Sequence, residues 1–179
     1  MRLTKRGEYA LRALIDLGIA SAVGRPLVQI SELAAKENIP VKFLEAILVQ
    51  LKEAGYLVSK RGKQGGYMLA KAMDKIRIGD VVRHIDGPLA PIPCVSQHFY
   101  ERCSCPDETH CGLRMLMLDV RNSIASILDR YTLAQTVEVT LRKMKGSHLP
   151  FPFAAPPKAP RRPQRSRPQN PTDPTALPS

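Results

Sequence analysis

Residues 40–54 read PVKFLEAILVQLKEA. The spacing predicts a helix of about four turns at 1.5 Å rise per residue. Pro40 suits the first helical position, where its missing N–H costs nothing. Phe43, Leu44, Ile47, Leu48 and Leu51 recur as one buried face, and Val41, Lys42, Glu45, Ala46, Val49 and Lys52 point elsewhere. Gly55 supplies a C-terminal stop. Just upstream, Ser31–Lys36 reads as a shorter helix with Ser31 as its N-cap, joined by Glu37, Asn38 and Ile39. Two short helices joined so tightly form a helix-turn-helix, whose second helix enters a DNA major groove.

Downstream, Leu57–Ser59 and Tyr67–Leu69 are strand-like and flank Lys60-Arg61-Gly62-Lys63-Gln64-Gly65-Gly66. A basic, glycine-rich hairpin after a helix-turn-helix is a wing. Gly65 and Gly66 permit close approach to a phosphate backbone, and Arg61 is long enough to enter a minor groove. Upstream, residues 4–21 form a helix with Thr4 as cap and Leu11, Leu14, Ile15, Leu17 and Ile19 as its apolar stripe. Val28 and Ile30 are expected to pair as a short strand. Residues 78–86 make a short helix ending at Gly87-Pro88.

Residues 112–130 return to helical spacing with Leu113, Leu116, Met117, Val120, Ile124, Ile127 and Leu128, and with Met115 and Leu118 on further faces. That apolar surface exceeds what one small winged domain covers, and it reads as a homodimer seam. Thr132 caps a last helix through Met144, with Leu133, Val137 and Leu141 inward. The fold class is therefore mainly α with a small β-hairpin: a winged helix-turn-helix over 1–87, a cysteine-rich loop over 88–111, a dimerisation helix and last helix over 112–146, and a tail over 147–179. Ten of the tail's 33 residues are proline, which predicts disorder.

Across all 179 residues the formal charge is +11, which suits a polyanionic partner such as double-stranded DNA. The tail carries +4 of it. No apolar run approaches the roughly 18 residues that span a bilayer, and Glu8, Arg12 and Asp16 interrupt any signal-peptide core. A cytoplasmic location is expected. No nucleophile–base pair, phosphate loop or carboxylate dyad suggests an enzyme.

All four cysteines lie in PCVSQHFYERCSCPDETHCG, spaced C-x8-C-x-C-x5-C. In a cytosolic chain such a cluster binds metal or does redox work. The C-x2-C knuckle of common zinc sites is missing, and four soft thiolates in one loop suit an iron–sulfur cluster, 2Fe–2S or 4Fe–4S. His98 and His110 are spare ligands. Thiol redox sensing without metal is the other reading of the same residues. A protein-interaction module built on the wing and tail is a third.

The opening MRLTKRGEYALRALIDL, the helix IPVKFLEAILVQLKEAGYL, the segment RGKQGGYMLAK and IRIGDVVRHIDGP with cysteines following resemble the Rrf family of bacterial winged-helix regulators over about residues 1–140. The resemblance implies a homodimer whose long helix crosses to its partner. It implies base contact by Lys42, Glu45 and Ala46, with Pro40 and Phe43 beside them, and by the wing arginine, Arg61. Glu45 accepts from a cytosine amino group and Lys42 donates to guanine or phosphate on this reading. Cluster-binding members use three cysteines, matched here by Cys94, Cys105 and Cys111. Cys103 departs from that pattern and either adds a fourth ligand or replaces Cys105. Some members take a carboxylate from the partner's first helix, where Glu8 stands. Its simpler role is as a helix-dipole partner. The implied function is a repressor that senses iron, redox state or nitric oxide.

Overall fold

The computed structural model describes residues 3–62 and 64–153. The chain runs α1 (Lys5–Ala22), α2 (Ile30–Glu37), α3 (Val41–Glu53), β1 (Leu57–Lys60), β2 (Gly66–Leu69), α4 (Ile78–Asp86), α5 (Gly112–Arg130) and α6 (Leu133–Gly146). Two 3-10 turns, Met73–Lys75 and Pro93–Val95, lie between them. The fold is mainly helical with one antiparallel hairpin, in register Leu57↔Leu69 to Lys60↔Gly66.

The core forms because α1 and α3 each present a leucine-rich stripe to the other. Leu14 and Leu17 of α1 meet Leu44, Ile47, Leu48 and Leu51 of α3, all with no solvent exposure. Each such side chain contributes about 1.5–3 kcal/mol by leaving water. Leu33 of α2 and Leu133 and Val137 of α6 close the same cluster. A second, smaller cluster of Ile78, Val82 and Leu89 joins α4 to Ala125 and Leu128 of α5.

Thr4 caps α1 by accepting from the Gly7 N–H, 3.1 Å away, as expected. Asp86, the last residue of α4, also binds this end, accepting from the Thr4 N–H at 2.8 Å and from its hydroxyl at 2.5 Å. An added Cβ at Gly7 would fall 2.3 Å from Asp86 Oδ2, so only glycine permits this approach. The turn between α2 and α3 is made by Asn38 in the left-handed region, φ 53°, which asparagine tolerates better than most residues.

Five local expectations change. Pro40 is the N-cap of α3 and not its first helical residue, which is Val41. Gln29, not Ser31, takes the N-cap of α2, and Glu32 closes the end by accepting from the Gln29 N–H at 3.1 Å. Val28 pairs with Tyr67 in a single bridge, while Ile30 is already helical. Phe43 lies on the surface, 39% exposed. The buried stripe of α3 is Leu44, Ile47, Leu48 and Leu51, at i, i+3, i+4 and i+7, and residue 43 precedes it by one step of about 100°. Finally, the chain beyond α6 folds back far enough for Phe153 to pack against the main core. The proline-rich stretch from 154 lies outside the described residues.

Candidate nucleic-acid interface and cysteine centre

The exposed face of α3 carries Lys42, Glu45 and Ala46, together with Val41 and Phe43, and Pro40 stands exposed at its N-cap. The Phe43 ring meets Tyr9 of α1 edge to face, with centroids 5.8 Å apart. Lys5 and Arg12 place cations 5.7 and 5.3 Å from the same Tyr9 ring. The start of the recognition helix therefore rests on a cation-flanked aromatic pair.

A polar groove of about 520 Å³ separates α3 from the wing, lined by Ser31, Glu45, Lys60, Arg61 and Gly65 among others. Arg61 is exposed at the wing. Lys63 lies outside the described residues. The wing glycines serve a purpose that the sequence did not disclose. An added Cβ at Gly66 would sit 2.3 Å from the Val28 carbonyl oxygen. Glycine there lets β2 lie against the Val28 segment, where Tyr67 and Val28 exchange hydrogen bonds of 2.8 and 3.0 Å. Its close approach is to the protein's own backbone.

The cysteines gather at the N-terminus of α5. Cys94, on the second 3-10 turn, is 3% exposed. Cys111 is the N-cap of α5, and its Sγ accepts from the Arg114 N–H at 3.5 Å. Cys105 Sγ lies 3.8 Å from Cys111 Sγ. All four cysteines line one cavity of about 330 Å³, with Arg102 and Arg114 beside them. The Cys105 N–H and thiol hold the Cys103 thiol below its usual range, while burial, then Cys103, pushes Cys94 up. Hydrogen bonding with Cys103 and then Cys111 pushes Cys105 up to about 12.

The sulfurs are thus linked in a chain, Cys94 to Cys103 to Cys105 to Cys111, and among the described residues no three His, Cys, Asp or Glu side chains surround one point as metal ligands. The spare histidines are not brought in. His110 pairs with Asp107 at 2.7 Å, and His98 borders a different cavity. Glu8 is engaged by Lys5 at 2.8 Å and Arg12 at 3.4 Å, which, Lys5 first, hold its carboxyl below the usual range. A brace went unpredicted: Glu108 accepts from the Tyr100 hydroxyl at 2.7 Å and pairs with Arg114 Nε at 3.1 Å. No sequence spacing rule relates residues 100, 108 and 114.

A helix-turn-helix with a basic wing, followed by a cysteine cavity at the foot of a long helix, defines a winged-helix transcription regulator. Comparison with known proteins makes this specific. The chain belongs to the Rrf2 family, described as iron-dependent transcriptional regulators, whose model matches residues 3–139. It is 40% identical over 133 residues to an rrf2-like HTH-type transcriptional regulator of Rhodobacter capsulatus, covering 73% of this chain and 89% of that one. It is 33% identical over 138 residues to the HTH-type transcriptional regulator IscR of Erwinia tasmaniensis, covering 76% and 79%. Among solved structures it resembles CymR, the global cysteine regulator of B. subtilis, with TM-score 0.65, 26% identity, and coverage of 78% and 98%. No helix of the described residues is long and apolar enough to cross a membrane.

Proposed function

We propose that this chain is a homodimeric repressor whose grip on its operator is set by an iron–sulfur cluster held in the cysteine cavity. The observation that carries the reading is that all four cysteines face one cavity at the start of α5. The donor set fits such a group in kind and number: four sulfurs, no competing carboxylate among the cavity's residues except Glu101, and two arginines to offset a cluster's negative charge. Cys94, Cys105 and Cys111 would hold it, with Cys103 as the fourth ligand, in preference to a partner's Glu8, which its own lysine and arginine already engage. When bound, the cluster supplies a redox- and nitric-oxide-reactive centre.

The chain's own residues do the rest. Glu108 and Arg114 fix the loop to α5. Leu113, Leu116, Val120 and Ile127, each more than a third exposed, form the seam offered to a second copy. Lys42, Glu45 and Ala46 face the bases, with Pro40 and Phe43 framing them, Arg61 and Lys63 contribute the wing's charge to the DNA backbone, and Gly65 and Gly66 shape the hairpin that carries Arg61. Purification without air tests the cluster. Iron and acid-labile sulfide should accompany the protein or be taken up on reconstitution, and operator affinity should differ between loaded and stripped forms. A colourless protein that takes up neither refutes it.

One distance favours a second reading. Cys105 and Cys111 sulfurs at 3.8 Å need only a small approach to form a disulfide, passing two electrons to an oxidant and releasing two protons. Mass spectrometry of peroxide-treated, metal-free protein distinguishes this: a mass loss of two hydrogens on a Cys105–Cys111 peptide pair, with a matching change in operator affinity, supports the thiol switch.

A further inference from the structure

A second cavity, of about 270 Å³, lies between α4, α5 and the loop. Pro88, Leu89 and Phe99 give it apolar walls, and it shares no residue with the cysteine cavity. Arg121 reaches it from α5. Residues 121, 125 and 128 share the inward stripe of that helix, and Ala125 and Leu128 pack on the Ile78–Val82–Leu89 cluster. A cation in such a stripe needs a reason. Arg121 Nε is shielded from solvent and has no hydrogen-bond partner among the described residues. The other cation of the cavity, Arg83, is already satisfied by two 2.7 Å bonds to Asp129, and no carboxylate lines the walls.

We propose that this cavity binds a small organic carboxylate with a short apolar body, clasped by Arg121. A buried donor without an acceptor is unfavourable, and a planar carboxylate matches the guanidinium fork. The apolar walls select a ligand that is charged at one end only. At about 30 Å³ per water-sized volume, the space suits about eight to ten non-hydrogen atoms. Ser96, Gln97, His98 and Phe99, which border the cavity, lie between Cys94 and Cys103. An occupant would therefore hold the same loop that carries the cysteines, and the regulator would answer to a metabolite as well as to its thiols.

The test uses the full chain as purified, with sodium hexanoate and phenylacetate as probes and hexanamide as the uncharged isostere. Calorimetry should give saturable binding at one site per chain for the two acids, and bound acid should raise the melting temperature. Hexanamide should bind at least about tenfold more weakly, because it lacks the charge-assisted bond. Arg121→Gln should lower hexanoate affinity by at least a similar factor, towards the amide's, and Arg121→Lys should fall between. Absence of saturable binding by both acids, equal affinity for acid and amide, or an unchanged Arg121→Gln would each overturn the proposal. If Arg121→Gln does not fold, the acid–amide contrast on the wild type decides alone.

Discussion

Asp16 provides the sharpest quantitative test of how α1 and α2 are held together. It is 2% exposed, accepts from Lys36 Nζ and lies against the Glu37 carboxylate. Burial first, and then the adjacent Glu37 carboxylate, push its pKa from 3.8 up to about 7, against the pull of Lys36. Between pH 4 and 7 the folded state keeps a proton that the unfolded state releases. Stability from this group is therefore highest at the acid end and falls as pH rises through 7. With an unfolded pKa near 3.9, the loss between pH 5 and pH 8 is about 2 to 3 kcal/mol. Glu37 is held below its usual range, against its own burial, by Lys36, by the hydrogen bond with Asp16 and by Arg12, and it works in the opposite sense, losing stability as pH falls. The whole protein's pH profile is therefore shallower than Asp16's own.

Asp16→Asn tests this, since its amide N–H can replace the acid's proton as donor to Glu37. Asparagine keeps the size and still accepts from Lys36, but it does not titrate. Urea unfolding of both proteins at pH 5, 6.5 and 8, at one protein concentration and low salt, gives the stability difference at each pH. The variant should gain on the wild type by about 2 to 3 kcal/mol from pH 5 to pH 8. A difference that stays flat, or reverses, would mean that Asp16 is ionised throughout and that the Lys36 contact outweighs burial.

Arg61→Ala should weaken operator binding and reduce the slope of log affinity against log salt by about one, read by fluorescence anisotropy across a salt series. Gly66→Ala should destabilise the fold by about 1–3 kcal/mol in urea melts, because its Cβ meets the Val28 carbonyl oxygen 2.3 Å away. Leu116→Asp with Ile127→Asp should leave the helical circular dichroism intact and shift the protein to monomer in sedimentation, since both side chains are more than half exposed in the isolated chain.

The sequence was legible wherever a local rule governed the outcome. Residues 78–86 and 112–130 stand as helices at the bounds their periodicity predicts, because apolar spacing and flanking breakers act within a few residues. Phe43 leaves the buried face that its spacing predicts for a related reason: a run of apolar residues does not say which member lies at the edge of the stripe, and here Tyr9 of another helix claims it. Contacts across long separations were illegible. Asp16 reads as a charge that breaks an apolar run, and only the fold brings it to Lys36, 20 residues away. Asp86 reads as the end of a helix, yet its partner is Thr4, 82 residues upstream. The cysteine spacing disclosed a donor set, but not that the four sulfurs follow one another around a cavity.

On the proposed reading, those long-range contacts are the route by which the cysteine loop would bear on DNA held by α3. The loop is entered from α4 and left by α5. Arg83 and Asp129 bind these two helices by a two-bond ion pair, and an added Cβ at Gly79 would fall 2.0 Å from Asp129 Oδ1. Asp86 then fixes the far end of α4 to the N-terminus of α1 through two hydrogen bonds. Tyr9, one turn further along α1, supports Phe43 at the start of the recognition helix. An effector can shift DNA affinity only by the difference between the contacts made in its two states, typically about 1–3 kcal/mol. The two Asp86 bonds, worth up to about 1.5–3 kcal/mol each as bonds to a charged group and less for being exposed, together reach that figure. On the proposed reading, the path from the loop to the recognition helix contains contacts strong enough to carry such a coupling.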